Sequence, residues 1–188
     1  RFPLNHIHLP GNHNRHNIMA TIAVGQLCGC PHEAIQHTIE NFRGLPHRLE
    51  WVGKVDKIGF YNDSKATNVS STVRALEALN PPVILIAGGK DKGGDYHPLI
   101  PLIEQKVKTL ILIGEAQEKM VQSFQNTTSI ICAETFEEAF RKSLDHATEG
   151  DTVLLSPACS SFDMFKDFED RGKQFKEIVY KLKFKYEN

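Results

Sequence analysis

The chain has no apolar run long enough to cross a bilayer as a helix, and no secretory signal pattern opens it. Charge of one sign is also missing: 22 Lys and Arg face 23 Asp and Glu, a formal net charge of -1 with His neutral. Electrostatics therefore gives no reason to expect nucleic acid or an anionic membrane as a partner. Cysteine is scarce. Cys28, Cys30, Cys132 and Cys159 form no disulfide framework for 188 residues, so reduced thiols in a cytoplasmic protein are expected. Internal repeats and low-complexity tracts are absent, as is the Gly-x-x-x-x-Gly-Lys-Ser/Thr spacing of a phosphate-binding P-loop. Arg1 stands where a start Met would, so a piece of a longer protein is expected. What is present, 40% apolar and 24% charged residues, is the composition of an ordinary globular protein. The length suits one domain, or one domain and part of another.

The most informative stretch is Gly59 to Asn68. Lys57 to Tyr61 is a short apolar and aromatic run that predicts a strand. Val69, Val73, Leu76 and Leu79 then recur at helical spacing. Between them lie Asn62, Asp63, Ser64, Lys65, Thr67 and Asn68, at a strand's carboxyl end and a helix's amino end. Unpaired backbone N–H groups and the helix dipole favour an anion at such a place. One helix cap needs one of these side chains, so capping alone does not account for six.

Upstream, Arg1 to Leu9 alternates weakly and suggests an edge strand. Asn14 or Asn17 is expected to cap a helix running to about Leu27, with Ile18, Ile22 and Leu27 inward. Pro31 opens a second helix with Ala34, Ile35, Ile39 and Phe42 as its buried stripe. Phe42 to Arg48 reads as a linker. Beyond it strands and helices alternate: Leu49–Val55 and Lys57–Tyr61 as a hairpin, strands at Pro82–Ala87, Thr109–Ile113, Ser129–Cys132 and Thr152–Leu155, and helices at His97–Val107, Ala116–Phe124 and from Thr135, whose capping box closes on Glu138. Phe165, Phe168, Gly172, Phe175, Val179 and Leu182 give the last helix its core stripe. This order predicts an α/β fold, a Rossmann-like, mostly parallel sheet flanked by helices. Ligands bind beyond the carboxyl ends of such strands.

Three polar or glycine-rich segments fall at those ends: Asn62 to Asn68, Gly88 to Asp95, and Ser156 to Asp163. The second holds four glycines and two lysines in eight residues, suited to an anion or, equally, to a flexible surface loop. In the third, Ser160 or Ser161 could cap the next helix, and Cys159 has no evident base to make it a nucleophile. His6, His8, His13 and His16 have spacings open to zinc, but no carboxylate or thiol completes a site, so no metal centre is expected. Cys28-Gly-Cys30 is equally weak. Arg48 could pair with a phosphate or simply with Glu50.

Taken together, Gly11-x-His13-Asn14-x-x-Asn17, Gly44-Leu-Pro-His-Arg48, Asn62-Asp-Ser-Lys-Ala-Thr-Asn68, Gly88-Gly-x-Asp-Lys-Gly93 and Ser156-Pro-Ala-Cys-x-Ser161-Phe-Asp163 resemble, in order and spacing, the Mur ligases of peptidoglycan synthesis. Asp-Ser-Lys-Ala-Thr-Asn resembles the branch that adds D-glutamate. The resemblance implies that residues 1–43 end a central ATP-binding domain and that 44–188 form the amino-acid-binding domain. It implies an ATP- and Mg2+-dependent joining of D-glutamate to UDP-N-acetylmuramoyl-L-alanine through an acyl phosphate, in a cytoplasmic monomer. The P-loop, the magnesium-binding glutamate, the modified lysine and the UDP-binding domain have no counterpart here, so this portion alone is expected to be inactive. Thr67, Lys92, Ser161, Phe162 and Phe168 match positions that hold D-glutamate, with Lys65 supporting the same loop. Asn14, Asn17, Arg48 and Asp63 match the nucleotide side. His13 and Arg171 match without an assigned role. Ser160 stands where alanine is common. A folylpolyglutamate synthetase-like ligase shares the architecture, although Lys65-Ala66-Thr67 speaks against it. A non-catalytic domain that binds an amino acid or nucleotide is the alternative outside the enzymes.

Overall fold

A computed structural model describes residues 1–3 and 7–187. The chain divides into two compact units, Arg1–Leu45 and Pro46–Asn188.

The first unit contains helices α1 (Asn12–Leu27) and α2 (His32–Asn41). Ile18 meets Ile35 and Ile39 in a small core, with Ile22, Phe2, Ile7 and Leu9 packed against it. Three expectations fail here. Neither Asn14 nor Asn17 caps α1: the helix starts at Asn12 behind Gly11, which has φ 91° and gives no side-chain cap. Asn14 instead donates to the Pro10 carbonyl at 2.7 Å. Within this unit Leu27 and Phe42 are exposed rather than inward, and Ala34 is exposed too. Leu27 ends its helix, and Phe42 has already turned to extended backbone, so its side chain leaves the helical stripe. Residues 1–3 and 7–9 form no strand. Phe2 stacks on His32 and the Pro3 carbonyl accepts from Gln36, so side chains hold this segment to α2. Leu4, Asn5 and His6, within the expected strand, lie outside the described residues.

The second unit is a six-stranded sheet in the order β1-β2-β6-β3-β4-β5. Its strands are β1 (Glu50–Val55), β2 (Ile58–Asn62), β3 (Val83–Gly88), β4 (Val107–Ile113), β5 (Ser129–Cys132) and β6 (Thr152–Ala158). The β1–β2 pair is antiparallel and every other pair is parallel. The hairpin turns at Asp56 and Lys57, both left-handed at φ 46° and 65°, as a two-residue loop between twisted strands requires. In β3, Val83, Leu85 and Ala87 face one core, shared with α3 (Val69–Ala78), α4 (Ile100–Lys106) and α5 (Gln117–Phe124). Ile84 and Ile86 face the other, shared with α6 (Phe136–His146) and α7 (Phe168–Glu187). Period-2 alternation on two covered faces explains the near-continuous apolar runs of β3 and β4.

Local chemistry sets the ends. Asn68 caps α3 by accepting from Ser71 N–H at 2.9 Å. Thr135 caps α6, but Glu138 reaches the Glu134 N–H rather than that of Thr135. Pro98 and Pro101 split the expected helix from His97 into a 3-10 turn, His97–Leu99, and the short α4, and Val107 already belongs to β4. β6 runs three residues past Leu155, carrying the Ser156 side chain into the interior. Because β6 lies between β2 and β3, the chain segments leaving these three strands are neighbours.

Gly88 closes β3 at φ 111°, and a Cβ there would lie 2.1 Å from the Ile113 carbonyl oxygen. Gly88→Ala is expected to lower the unfolding free energy by roughly 3 kcal/mol, from a left-handed strain and a backbone clash together. Urea denaturation measures this. A loss under about 1 kcal/mol would show that the β3–β4 contact yields easily.

Candidate functional site

The carboxyl rim of the sheet is assembled around Arg171, on the first turns of α7. Its side chain has no exposed surface. Nε donates to Ser64 Oγ at 2.9 Å, and Nη2 donates to the carbonyls of Ser64 at 2.9 Å and Cys159 at 3.2 Å. Nη1 reaches the Ser160 carbonyl at 3.4 Å. Burial pushes the guanidinium down to about 10, with nearby Asp163 opposing the shift, and it stays charged at neutral pH. Ser64 Oγ in turn donates to the Phe168 carbonyl at 2.8 Å. One side chain thus joins the segment after β2, the segment after β6 and the start of α7.

The segments after β3 and β4 close on the same place. A Cβ on Gly89 would sit 2.3 Å from the Ser160 carbonyl oxygen, and one on Gly114 would sit 2.3 Å from Asp163 Oδ2. Only glycine admits such approaches. Lys90 N–H donates to the Ser160 carbonyl at 2.9 Å, and Glu115 N–H donates to Asp163 at 3.0 Å.

On this floor stand several of the residues singled out in the sequence. Lys65 is exposed, its ammonium 5.5 Å from the centroid of the Phe168 ring. Thr67 is half-buried two residues on, its N–H donating to the Lys65 carbonyl. Lys92 is exposed on the β3 segment. Ser161 is buried, and its carbonyl accepts from the N–H groups of Met164 and Phe165. Phe162 is 67% exposed. The structure therefore brings the segments bearing Lys65, Thr67, Lys92, Ser161, Phe162 and Phe168 to one rim. His13, Asn14 and Asn17 lie on α1 in the other unit, where Asn17 donates to Asn14 Oδ1 at 3.4 Å.

Arg48 and Asp63 are linked through the backbone. His47 and Leu49 are both left-handed, at φ 62° and 43°. For leucine this is strained, and the surroundings must hold it. The Asp63 carboxylate does so: Oδ1 accepts from Leu49 N–H at 2.9 Å, while Oδ2 accepts from Ser156 Oγ at 2.8 Å. Arg48 is left exposed between the two strained residues. Burial pushes Asp63 from an ordinary 3.8 up to about 7, against the Ser156 and Leu49 hydrogen bonds and the Arg48 charge.

The sequence reading missed a second buried network. Asn62 Nδ2 lies 2.9 Å from His47 Nδ1 and 3.2 Å from the Gly172 carbonyl. Burial pushes His47 down, so the neutral ring accepts from Asn62. A Cβ on Gly172 would lie 2.1 Å from His47 Nδ1. A glycine inside a helix costs about 1 kcal/mol, and that was the available signal. No group of three or more His, Cys, Asp or Glu side chains is clustered to hold a metal among the described residues, and His6 lies outside them. Cys159 is buried against Tyr96, and burial raises its thiol, which suits packing rather than nucleophilic attack.

Residues 47–159 match the family described as Mur ligase, glutamate ligase domain. A UDP-N-acetylmuramoylalanine--D-glutamate ligase from Citrifermentans bemidjiense is 48% identical over 179 residues, covering 95% of this chain and 40% of the relative. One from Bdellovibrio bacteriovorus is 49% identical over 181 residues, covering 96% and 39%. The chain thus spans about two fifths of the length of these curated relatives. Its fold is similar to UDP-N-acetylmuramate-alanine ligase MurC from Thermotoga maritima, with TM-score 0.69, 16% identity, and coverage of 93% of this chain and 39% of that one. It is similar as well to folylpolyglutamate synthase from Mycobacterium tuberculosis, with TM-score 0.68, 12% identity, and coverage of 90% and 41%.

The Asp63 site makes a pH prediction. The folded protein binds this proton more tightly than the unfolded chain, so the stabilisation is complete below about pH 4 and is lost as pH rises through about 7. Three pH units correspond to on the order of 4 kcal/mol. Unfolding free energies of the protein and of Asp63→Asn, compared from pH 4 to 8, are expected to diverge with that slope. A difference independent of pH would mean that Asp63 titrates normally.

Proposed function

The chain belongs to the Mur ligase family, and from that membership we propose that it carries the amino-acid-binding part of an ATP-dependent enzyme joining D-glutamate to UDP-N-acetylmuramoyl-L-alanine in peptidoglycan synthesis. The observation that carries this reading is the single rim on which Lys65, Thr67, Lys92 and Ser161 stand on neighbouring segments. Residues 1–43 are read as the end of a central nucleotide-binding domain and 44–188 as the amino-acid-binding domain, in a cytoplasmic, monomeric enzyme. The shared name of relatives at 48% and 49% identity favours this branch over a folylpolyglutamate synthase, whose likeness at 12% identity is one of fold.

The task on this reading is to hold a doubly acidic amino acid with its amine free, against an electrophile that is itself anionic. Placement and charge neutralisation supply most of the needed acceleration. ATP supplies the phosphoryl group that activates the muramoyl-alanine carboxylate. Lys92 gives a mobile ammonium for one carboxylate of D-glutamate. Thr67 and Ser161 offer hydroxyl and backbone donors, and Phe162 and Phe168 give apolar walls. Lys65, held over Phe168, supports the same segment. Arg48 is exposed and presented by a strained turn, which fits a bidentate contact to phosphate. Asp63 serves the nucleotide side by fixing that turn, and Asn14 and Asn17 are read as adenine-side residues. Arg171 and His13 match the family pattern, Arg171 as the buried support of the rim. The described acidic residues do not cluster as a magnesium site requires, so Mg2+ would need ligands beyond them.

Charge-assisted hydrogen bonds contribute about 1.5–3 kcal/mol each. In the full-length enzyme Lys92→Ala is expected to raise the KM for D-glutamate roughly 10- to 100-fold. An unchanged dependence on D-glutamate would remove Lys92 from the site. Arg48→Ala is expected to impair ATP use by a similar factor and to leave D-glutamate binding nearly intact. Normal ATP affinity and turnover in that variant would refute the phosphate contact.

A further inference from the structure

Lys92 is exposed, yet the backbone on both sides of it is pinned. Before it, Lys90 and Ser160 form an antiparallel bridge, with Lys90 N–H donating to the Ser160 carbonyl and Ser160 Oγ reaching the Lys90 carbonyl at 3.3 Å. After it, Gly93 at φ 74° donates its N–H to Asp91 Oδ1 at 3.1 Å, so the Asp91 side chain spans Lys92. Asp91 is itself held from two directions. Tyr96 Oη donates to Oδ1 at 2.9 Å, and Lys119, on α5, donates to Oδ2 at 2.9 Å. The same Tyr96 Oη lies 3.1 Å from Cys159 Sγ, two residues before Ser161. With the phenol proton given to Asp91, the Cys159 thiol is the donor to the phenol oxygen. Tyr96 and Cys159 are both buried, and the Lys119 ammonium lies 5.3 Å from the Tyr96 ring centroid.

We infer that Lys119, Asp91, Tyr96 and Cys159 form a strap that fixes the distance between the Lys92 segment and the Ser161 segment, and that Asp91 and Tyr96 are positioning residues for amino-acid binding. The inference rests on the proposed role of Lys92. The strap crosses between two segments that would grip the same small diacid. Lys92 carries its charge on a long flexible stem, so a backbone free to wander adds to the conformational freedom lost when the ammonium meets one carboxylate, and binding weakens. The Lys90–Ser160 bridge ties the base of the segment and the strap ties its tip; with the tip released, the Lys92 ammonium samples positions that do not serve the ligand. None of the four strap residues needs to touch substrate.

The test uses the full-length enzyme with separate titrations of D-glutamate and ATP. Tyr96→Phe removes one hydroxyl from the middle of the strap. It is expected to raise the KM for D-glutamate about 5- to 20-fold, with the KM for ATP and the melting temperature little changed. Lys119→Met cuts the strap at its more exposed end, serves if the first variant folds poorly, and is expected to act in the same direction but less. Adding Tyr96→Phe to Lys92→Ala is expected to cause little further loss, because the lysine to be positioned is gone. An unchanged KM for D-glutamate in both strap variants, beside a raised one in Lys92→Ala, would overturn the strap and leave the Lys92 assignment standing. A parallel fall in all parameters together with melting temperature would mark the strap as merely structural and overturn it. No effect of Lys92→Ala itself would sink the parent reading and the strap with it.

Discussion

A buried guanidinium without a hydrogen-bonded carboxylate organises this domain's rim. Taking a cation out of water is costly unless its donors are met. Arg171 meets that cost with one hydroxyl and three backbone carbonyls drawn from two segments that are far apart in sequence, with Asp163 as the nearby opposing charge. The arrangement is demanding in both directions. Carbonyls that point at Arg171 cannot turn to solvent, so the backbone at Ser64, Cys159 and Ser160 is held in one conformation. On those segments the Ser64, Cys159, Ser160 and Ser161 side chains stay buried, and Lys65 and Phe162 are left exposed.

The topology makes the clamp possible. With β6 between β2 and β3, the segments at their ends lie within one arginine's reach. Glycine removes the remaining obstacle. Gly88, Gly89 and Gly114 each stand where a Cβ would collide with a carbonyl or carboxylate oxygen of a neighbouring segment. The glycine-rich segment after β3 therefore has two physically different halves. Gly88 and Gly89 serve close packing, whereas Gly93, with nothing within 4 Å of its Cβ position, serves only a left-handed turn.

Much of this was legible in the residues. Apolar character located β2, β3, β4 and the helices α3, α5 and α6, because these strands are largely buried; β5, at the sheet edge and partly exposed, was legible only as a short apolar run. The polar character of the strand ends located the rim. Failures occurred where a side chain's partner is distant in sequence. The expected last strand stops at Leu155, yet Ser156 and Pro157 continue β6, where Ser156 finds Asp63 and Thr72 inside. Gly172 looked like part of an apolar stripe, although it makes room for His47. Asp63 looked like an outward ligand group, and no local pattern shows that Leu49 and Ser156 occupy its oxygens. Arg171 could be matched by position but not by role, since its partners are 107 and 12 residues away. In the first unit the propensity signals were weaker still, and side-chain contacts such as Phe2 on His32 decided the outcome.

The division between buried and exposed polar groups follows from the chemistry such a rim would serve. A group that must hold its place gains from burial, because a low-dielectric setting strengthens its hydrogen bonds and penalises any alternative. A group that must release a product gains from exposure, because water can compete for it. Asn62, Asp63, Ser64 and Arg171 are buried and satisfied within the fold, while Arg48, Lys65 and Lys92 are exposed beside them. Positional information thus resides in residues that need not touch a ligand, and charge resides in residues that are free to let one go. A rim built the other way, with buried lysines and exposed supports, would bind an anion tightly only by paying desolvation on every turnover, and it would lose the geometry whenever water entered.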